Sequence, residues 1–507
     1  MGVRMKSILS KCLVATAVLC CSVFCYAQAA STKNVILFIG DGMQLEHEVA
    51  TSNYLYGEDF ALVWHAFPYK NYVTTWNVDT YNTYARAEGK PEYDPGNFDP
   101  ILGYDPRKGG EKPYPISKDT RSRFNYFFPN SHPSSPSLLR SGPSTDSAAS
   151  ASALATGKKT RKGRISWDAA GGAGGERLTI TEMFREKNGA SVGVMSTVPF
   201  SHATPAAFSS HNVNRNNFYT GHQGYSGLGI ADEILTIMMP DVVIGGGHPA
   251  WGNPDWDTDE GHISRELYES AIDSETFCFV ERSEGEDGAR LLAEGAAEAM
   301  ESGKKLFALF GGKIGNFEPP VPRNSPGAPQ IDRATEENPL LNDVVVAALE
   351  ILSRNEKGFF VLAEQGDIDW ANHANNFSAM IGTVWDLNEA VRATVEFVDK
   401  PGDSVDWDNT LLIVTADHAN SYMRMNPKKR LGPGELPEQI CDEKSCRYPD
   451  GKVKYYTSGH TNELVGIYAK GAGLEIFEKY EGTWYPGTRL IDNTQIFAVI
   501  RDAAMGE

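Results

Sequence analysis

Six short runs of apolar, largely β-branched residues recur along the chain: Asn34-VILFI-Gly40, Ser191-VGVM, Asp241-VVIG, Lys305-LFALF, Gly358-FFVLA and Thr410-LLIVTA. Runs this short and this continuous read as strands buried on both faces. Helical patterns lie between them, one of them around Val344–Leu352. Such alternation predicts an α/β fold, with a central, mostly parallel sheet flanked by helices on both faces. There is no internal repeat. Residues 77–140 break the pattern. They are rich in Tyr, Pro, Asn, Asp and Gly and read as a long inserted excursion rather than a core element, either a functional cover or surface chain. Residues 313–340 form a Pro/Gly-rich connection, and 419–458 form a further irregular region.

Of the 507 residues, 41% are hydrophobic and 22% charged, which excludes a disordered tail, a collagen-like chain and a polytopic membrane protein. Asp and Glu (66) exceed Lys and Arg (47), giving a net charge of −19. No basic stripe is interleaved with aromatics, so nucleic-acid recognition is not expected. The excess acids are either solvated surface or metal ligands, a choice that falls to individual residues.

The first 29 residues read as a cleaved secretory signal peptide. Arg4, Lys6 and Lys11 precede an apolar stretch from Cys12 to Tyr26, and Ala27-Gln28-Ala29 supplies a small-x-small cleavage signal. Met5 is an alternative start. A periplasmic or secreted location follows, with no membrane anchor, and residues 30–507 read as one domain. Four of the seven cysteines lie in the leader. Of the rest, Cys441 and Cys446 are spaced for a short-loop disulfide in an oxidising compartment, and Cys278 reads as an inert buried thiol. A single cysteine pair is too few for a zinc ribbon.

Three of the predicted strands end on chemistry-bearing groups: Asp41 after the first, Glu364 at the end of FFVLA, and Asp417 with His418 after LLIVTA. Ligands of open α/β sheets bind beyond the carboxyl ends of the strands, so these groups converge on one edge. Asp369 and His373, at i and i+4, share a helical face. This mixture of carboxylate and imidazole without thiolate suits catalytic zinc, Asp417-His418 supplies it again, and His460 adds a late imidazole, enough for two zinc sites. Glu364 is a hard oxygen ligand better matched to magnesium. Ser147, in Thr145-Asp-Ser-Ala-Ala-Ser, opens an Ala/Ser-rich helix that stops at Gly157. Unpaired N–H groups and the helix dipole favour negative charge there, and the segment alone leaves it open between nucleophile and cap. Thr204, before a proline, offers a hydroxyl to a hard metal. Arg215 offers a bidentate grip on phosphoryl oxygens or is a surface arginine. His47, His65, His132, His211, His222, His248 and His262 read as surface or core histidines, His248 being the one nearest a strand end. The cationic run Lys158–Lys162 reads as a complement to the helix dipole.

Taken in order, IGDGM, TDSAASASA, HATPAA with Arg215, EQGDIDWANH, VTADH and SGHTNELV resemble the alkaline phosphatase family of secreted metallophosphomonoesterases. The resemblance runs from about residue 34 to 500, outside the excursion. It implies a usually homodimeric enzyme that hydrolyses phosphate monoesters through a phosphoserine and scavenges phosphate outside the cytoplasm. It implies that Ser147 is the nucleophile and that Arg215 binds the phosphoryl group. It further implies that Asp369, His373 and His460 hold one zinc, that Asp41, Asp417 and His418 hold a second, and that Asp41, Thr204 and Glu364 hold magnesium. His202 and Trp370 stand where some bacterial members carry Asp and Lys, a combination similar to a marine-bacterial subgroup. There they tune the magnesium region and the phosphate contact. Competing readings are a phosphodiesterase or sulfatase of the same superfamily, and a secreted phosphate- or metal-binding protein without catalysis.

Overall fold

The computed structural model describes residues 32–106, 142–249, 261–312, 314–402 and 404–506. The leader, its cleavage signal, His132 and residues 107–140 of the excursion lie outside the described residues. Among the described residues ten strands form one sheet: β1 (Asn34–Gly40), β2 (Tyr69–Thr74), β3 (Ser191–Pro199), β4 (Val242–Gly246), β5 (Phe277–Glu281), β6 (Lys305–Leu309), β7 (Phe359–Gln365), β8 (Thr410–Thr415), β9 (Val465–Gly471) and β10 (Ile491–Asp492). Their spatial order is β10-β2-β9-β8-β1-β7-β3-β4-β6-β5. Only β9 runs antiparallel to its neighbours. All six predicted runs are strands of this sheet, and the mostly parallel α/β expectation holds.

Register positions the site. β1 lies between β7 and β8, with Ile39 opposite both Glu364 and Thr415, and Ser196 of β3 also opposite Glu364. The carboxyl ends of these central strands are therefore level, and Asp41, Glu364 and Asp417 emerge along one edge. β1, β7 and β8 are buried at every position, as apolar runs covered on both faces must be.

Four helices matter to the site: α1 (Leu45–Tyr56), α2 (Ser147–Thr156), α3 (Ala203–Ser209) and α4 (Asp367–His373). α2 is capped by the Asp146 side chain, which accepts from Ala149 N, and it stops at Gly157 in a left-handed conformation. The 77–140 excursion differs from expectation in its first part. Val78–Ala87 is helical, capped by Asn77, and Trp76, Tyr81, Leu102 and Tyr104 are buried. Trp76 meets Tyr81, Tyr93, Phe98 and Trp484 at centroid distances of 5.7–6.2 Å. Aromatic packing, which leaves no aliphatic periodicity, builds this segment into the core.

The irregular 419–458 region carries short two-residue pairings, Arg424–Met425 with Val453–Lys454 and Ile440–Cys441 with Cys446–Arg447. Cys441 and Cys446 form the expected disulfide, and Cys278 is a buried free thiol. Among the described residues no helix is long and apolar enough to cross a membrane.

Candidate metal centre and nucleophile

The turn after β1 brings Asp41 to the edge. Gly42 follows with φ +67, and a Cβ there would sit 2.6 Å from Asp369 Oδ1. Its N–H instead donates to Asp417 Oδ1 at 3.0 Å. Glycine thus lets the chain pass between two carboxylates.

Two clusters result. The ligand atoms of Asp41, Asp417 and His418 all lie within 4.8 Å of one another, as do those of Asp369, His418 and His460. His418 belongs to both, and its ring stacks on His460 at 3.7 Å. His373 joins the second, its Nε2 being 3.1 Å from Asp369 Oδ2 and 3.0 Å from His460 Nε2. Ser147, the first residue of α2, places its Oγ 3.2 Å from His418 Nε2 and 3.5 Å from Asp41 Oδ1.

Backbone carbonyls fix the imidazole tautomers. His373 Nδ1 lies 2.6 Å from Ser458 O, and His460 Nδ1 2.9 Å from Thr145 O. A carbonyl only accepts, so both Nδ1 atoms donate and both Nε2 atoms face each other across 3.0 Å. Two lone pairs at that distance require a cation between them. Without a metal a proton serves. Burial works against a charged His373, but the hydrogen bond and charge of Asp369 outweigh it and push the pKa up to about 9. Burial also opposes the charge of Asp369, yet His460 and His373 hold it well below the ordinary carboxylate range.

The other acids show the opposite strain. Burial, and then the charges of Asp417, Asp369 and Glu364, push Asp41 well above its ordinary value. Burial raises Glu364 to about 8 and Asp417 to about 6. Glu364 Oε1, Thr204 Oγ1 and Asp417 Oδ2 are buried without a hydrogen-bond partner. Buried carboxylates crowded together, with unsatisfied oxygens, fit divalent cations: oxygen-rich at Glu364 and Thr204, mixed with imidazole elsewhere.

Arg215 Nη1 bonds Asp146 Oδ2 at 3.1 Å, and Nη2 lies 3.4 Å from His202 Nε2. His202 is held well below its ordinary pKa by burial and then by Arg215. Trp370, exposed on α4, is 6.3 Å from the His202 ring. The residues singled out in the sequence therefore group on one edge. His248 does not join them; it bonds Glu281 at 2.9 Å toward the β5 edge of the sheet.

Several supports lie outside the expected site residues. Asp146 both caps α2 and holds Arg215. Its position before Ser147 was the available signal. Ser196 donates to Glu364 Oε2 and Asn420 to Asp369 Oδ1. The Ser458 and Thr145 carbonyls carry no side-chain signal at all. The cationic run after α2 also does more than complement a dipole. Lys159 is buried, 2.8 Å from Asp492 Oδ2 and 2.7 Å from Asn493 Oδ1, and it lies over the Trp76 ring.

Known proteins share this arrangement of sequence and fold. A match to alkaline phosphatase from Escherichia fergusonii is 32% identical over 339 residues, covering 63% of this chain and 65% of that protein. Alkaline phosphatase 4 of Bacillus subtilis is 28% identical over 386 residues, covering 66% and 73%. The chain thus spans a little under two thirds of the Escherichia relative. Among solved structures, alkaline phosphatase from the Antarctic bacterium TAB5 superposes with TM-score 0.55 at 18% identity, covering 94% of this chain and 99% of that one. The Thermus thermophilus enzyme gives 0.57 at 19%, covering 94% and 93%. The family model described as alkaline phosphatase matches residues 124–457, a span that takes in the serine helix, Arg215, α4 and the Asp417-His418 pair. On that match, this chain belongs to the alkaline phosphatase family.

Proposed function

We propose that the chain hydrolyses phosphate monoesters to alcohol and inorganic phosphate through a phosphoserine on Ser147. The observation that carries this reading is the Ser147 hydroxyl, 3.2 Å from His418 Nε2 and 3.5 Å from Asp41 Oδ1 at the start of a helix, with Arg215 tied to the residue before it. The donor sets support two zinc sites, Asp369 with His373 and His460, and Asp41 with Asp417 and His418. They support a magnesium site at Asp41, Thr204 and Glu364. Bound there, divalent ions would supply the positive charge that lowers the serine pKa and offsets charge on the phosphoryl and leaving oxygens.

The chain's own groups do the rest. Ser147 Oγ gives up its proton and forms a bond to phosphorus in line with the departing alcohol oxygen, which takes a proton as it leaves. Water then attacks the phosphoserine from the vacated side, releasing inorganic phosphate and restoring the hydroxyl. Arg215 grips two phosphoryl oxygens, and Asp146 fixes its guanidinium so that little rotamer freedom is lost. The α2 N-terminus adds unpaired N–H groups. Catalysis is then mostly positioning and electrostatics. Action outside the cytoplasm, for phosphate scavenging, fits the leader and the Cys441–Cys446 bond. A homodimer is the family expectation.

Purified protein given p-nitrophenyl phosphate, bis(p-nitrophenyl) phosphate and p-nitrophenyl sulfate tests the reading. The monoester should be preferred, and prolonged chelation should abolish its hydrolysis until zinc and magnesium are returned. Preference for the diester or the sulfate would favour the related activities. Phosphate binding without turnover would favour a non-catalytic binding protein.

A further inference from the structure

A cavity of about 1060 Å³ opens between the C-terminal half of α1 and the 424–456 region. Its volume is at the upper end for small-molecule sites. Lys429, Arg430, Arg447, Lys452 and Lys454 line it, and among the described residues Asp59 is the one acid that does. Among the described residues none of the five cations is ion-paired to a carboxylate; Lys429, for example, donates to a backbone oxygen, Asp450 O, at 2.8 Å. Arg424, also at the wall, is different, since Glu46 and Glu463 neutralise it. In a chain of net charge −19, five cations gathered around one concavity make a local positive patch that favours an anion there; four of them are exposed, and Lys454 also lies over the Tyr456 ring at 4.4 Å.

The cavity lining is continuous in the chain with segments that carry metal-centre residues. Asn375, at the cavity, lies two residues beyond His373 on the same chain turn. Cys446, also lining it, donates its N–H to Ala374 O at 3.0 Å, and the disulfide ties that hairpin. Tyr456 lines it as well, and the chain runs on through Ser458, whose carbonyl accepts from His373, to His460.

We infer that this cavity is a binding site for a multiply charged phosphate-type anion, separate from the centre that carries Ser147. The choice of phosphate over other polyanions rests on the proposed function; the charge and the concavity do not. The anion has two sources. It is either the non-reacting phosphate of a substrate that carries more than one, or a free polyphosphate acting as a ligand.

The test compares the full-length protein with a variant carrying Lys429→Gln, Arg430→Gln, Arg447→Gln, Lys452→Gln and Lys454→Gln, its fold checked by circular dichroism and retention of the disulfide. Calorimetric titration with inorganic tripolyphosphate should find one more binding equivalent in the parent than in the variant. That equivalent should weaken steeply with salt, because screening acts over about 8 Å at physiological ionic strength. If the anion belongs to the substrate, kcat/KM for a sugar bisphosphate falls at least tenfold in the variant while p-nitrophenyl phosphate hydrolysis is unchanged. If it is a free ligand, both substrates behave alike and only the titration changes. Equal tripolyphosphate stoichiometry and affinity in both proteins, with equal kinetics on both substrates, would overturn the inference. A parent that does not hydrolyse p-nitrophenyl phosphate would instead count against the proposed function and leave the titration to decide this site.

Discussion

At Ser147 a common hydroxyl is made special by its neighbours. Its own sequence reads equally well as a helix start, and the register of β1, β7 and β8 is what brings Asp41 and His418 to it. Ser147→Ala should cut monoester turnover by roughly a thousandfold or more while leaving metal content and phosphate binding intact, as read by elemental analysis and calorimetry. Undiminished turnover would remove Ser147 from the nucleophile role. Gly42 was not singled out in the sequence, because its function is the absence of a side chain. Gly42→Ala adds about 1–2 kcal/mol of left-handed strain and drives a methyl group against Asp369 Oδ1. It should therefore lower metal affinity more than global stability. A variant with unchanged metal retention during dialysis would contradict that geometry.

At the scale of elements, strands apolar on both faces were readable because nothing polar interrupts them. β2 was not, since YKNYVT mixes Lys70 and Asn71 into its run. The short β10 takes its identity from pairing with β2. The helix at Val78–Ala87 was hidden for a similar reason, its packing being aromatic. Contacts between elements were the least readable. Lys159 joins the end of α2 to Asp492, an acceptor 333 positions later in the chain that no local pattern announces. Burial drops the Lys159 pKa to about 8, against the pull of Asp492. Lys159→Met should leave Asp492 buried and uncompensated, costing about 3–5 kcal/mol in denaturant unfolding. A change within experimental error would show that the pair is not coupled to the fold.

His211 links elements in the opposite sense. Burial disfavours its charge, but Glu182 and Glu233 outweigh this and push its pKa up to about 10. A folded-state pKa above the unfolded value of about 6.5 means that the stabilisation is complete below pH 6.5. It is lost as pH rises toward 10. The stability difference between the parent and His211→Gln should thus be largest near neutral pH and shrink through that window. A gap that widens on the alkaline side would reverse the assignment.

For the whole molecule, the acids and imidazoles of the centre come from Asp41 to His460, and only the assembled sheet brings them together. The sequence displayed the ligand types and their order but not the sharing of His418 between clusters, nor the carbonyls that aim His373 and His460. Backbone acceptors leave no trace in residue identity. Because raised and lowered carboxylate pKa values coexist in one buried cluster, cations should contribute to folding itself. Metal that binds only the folded chain stabilises by about 2.7 kcal/mol per site at a free concentration a hundred times Kd. Chelation should therefore lower the melting temperature, and zinc should restore it; a melting curve indifferent to chelator would argue against metal in the centre. The central claim is that these groups converge to let one serine accept a phosphoryl group. Acid quenching during turnover of p-nitrophenyl phosphate, followed by digestion and mass spectrometry, tests it most directly. The account predicts phosphate on the peptide containing Ser147 and none in Ser147→Ala; steady release of phosphate with that peptide unmodified, or with another residue labelled, would contradict it.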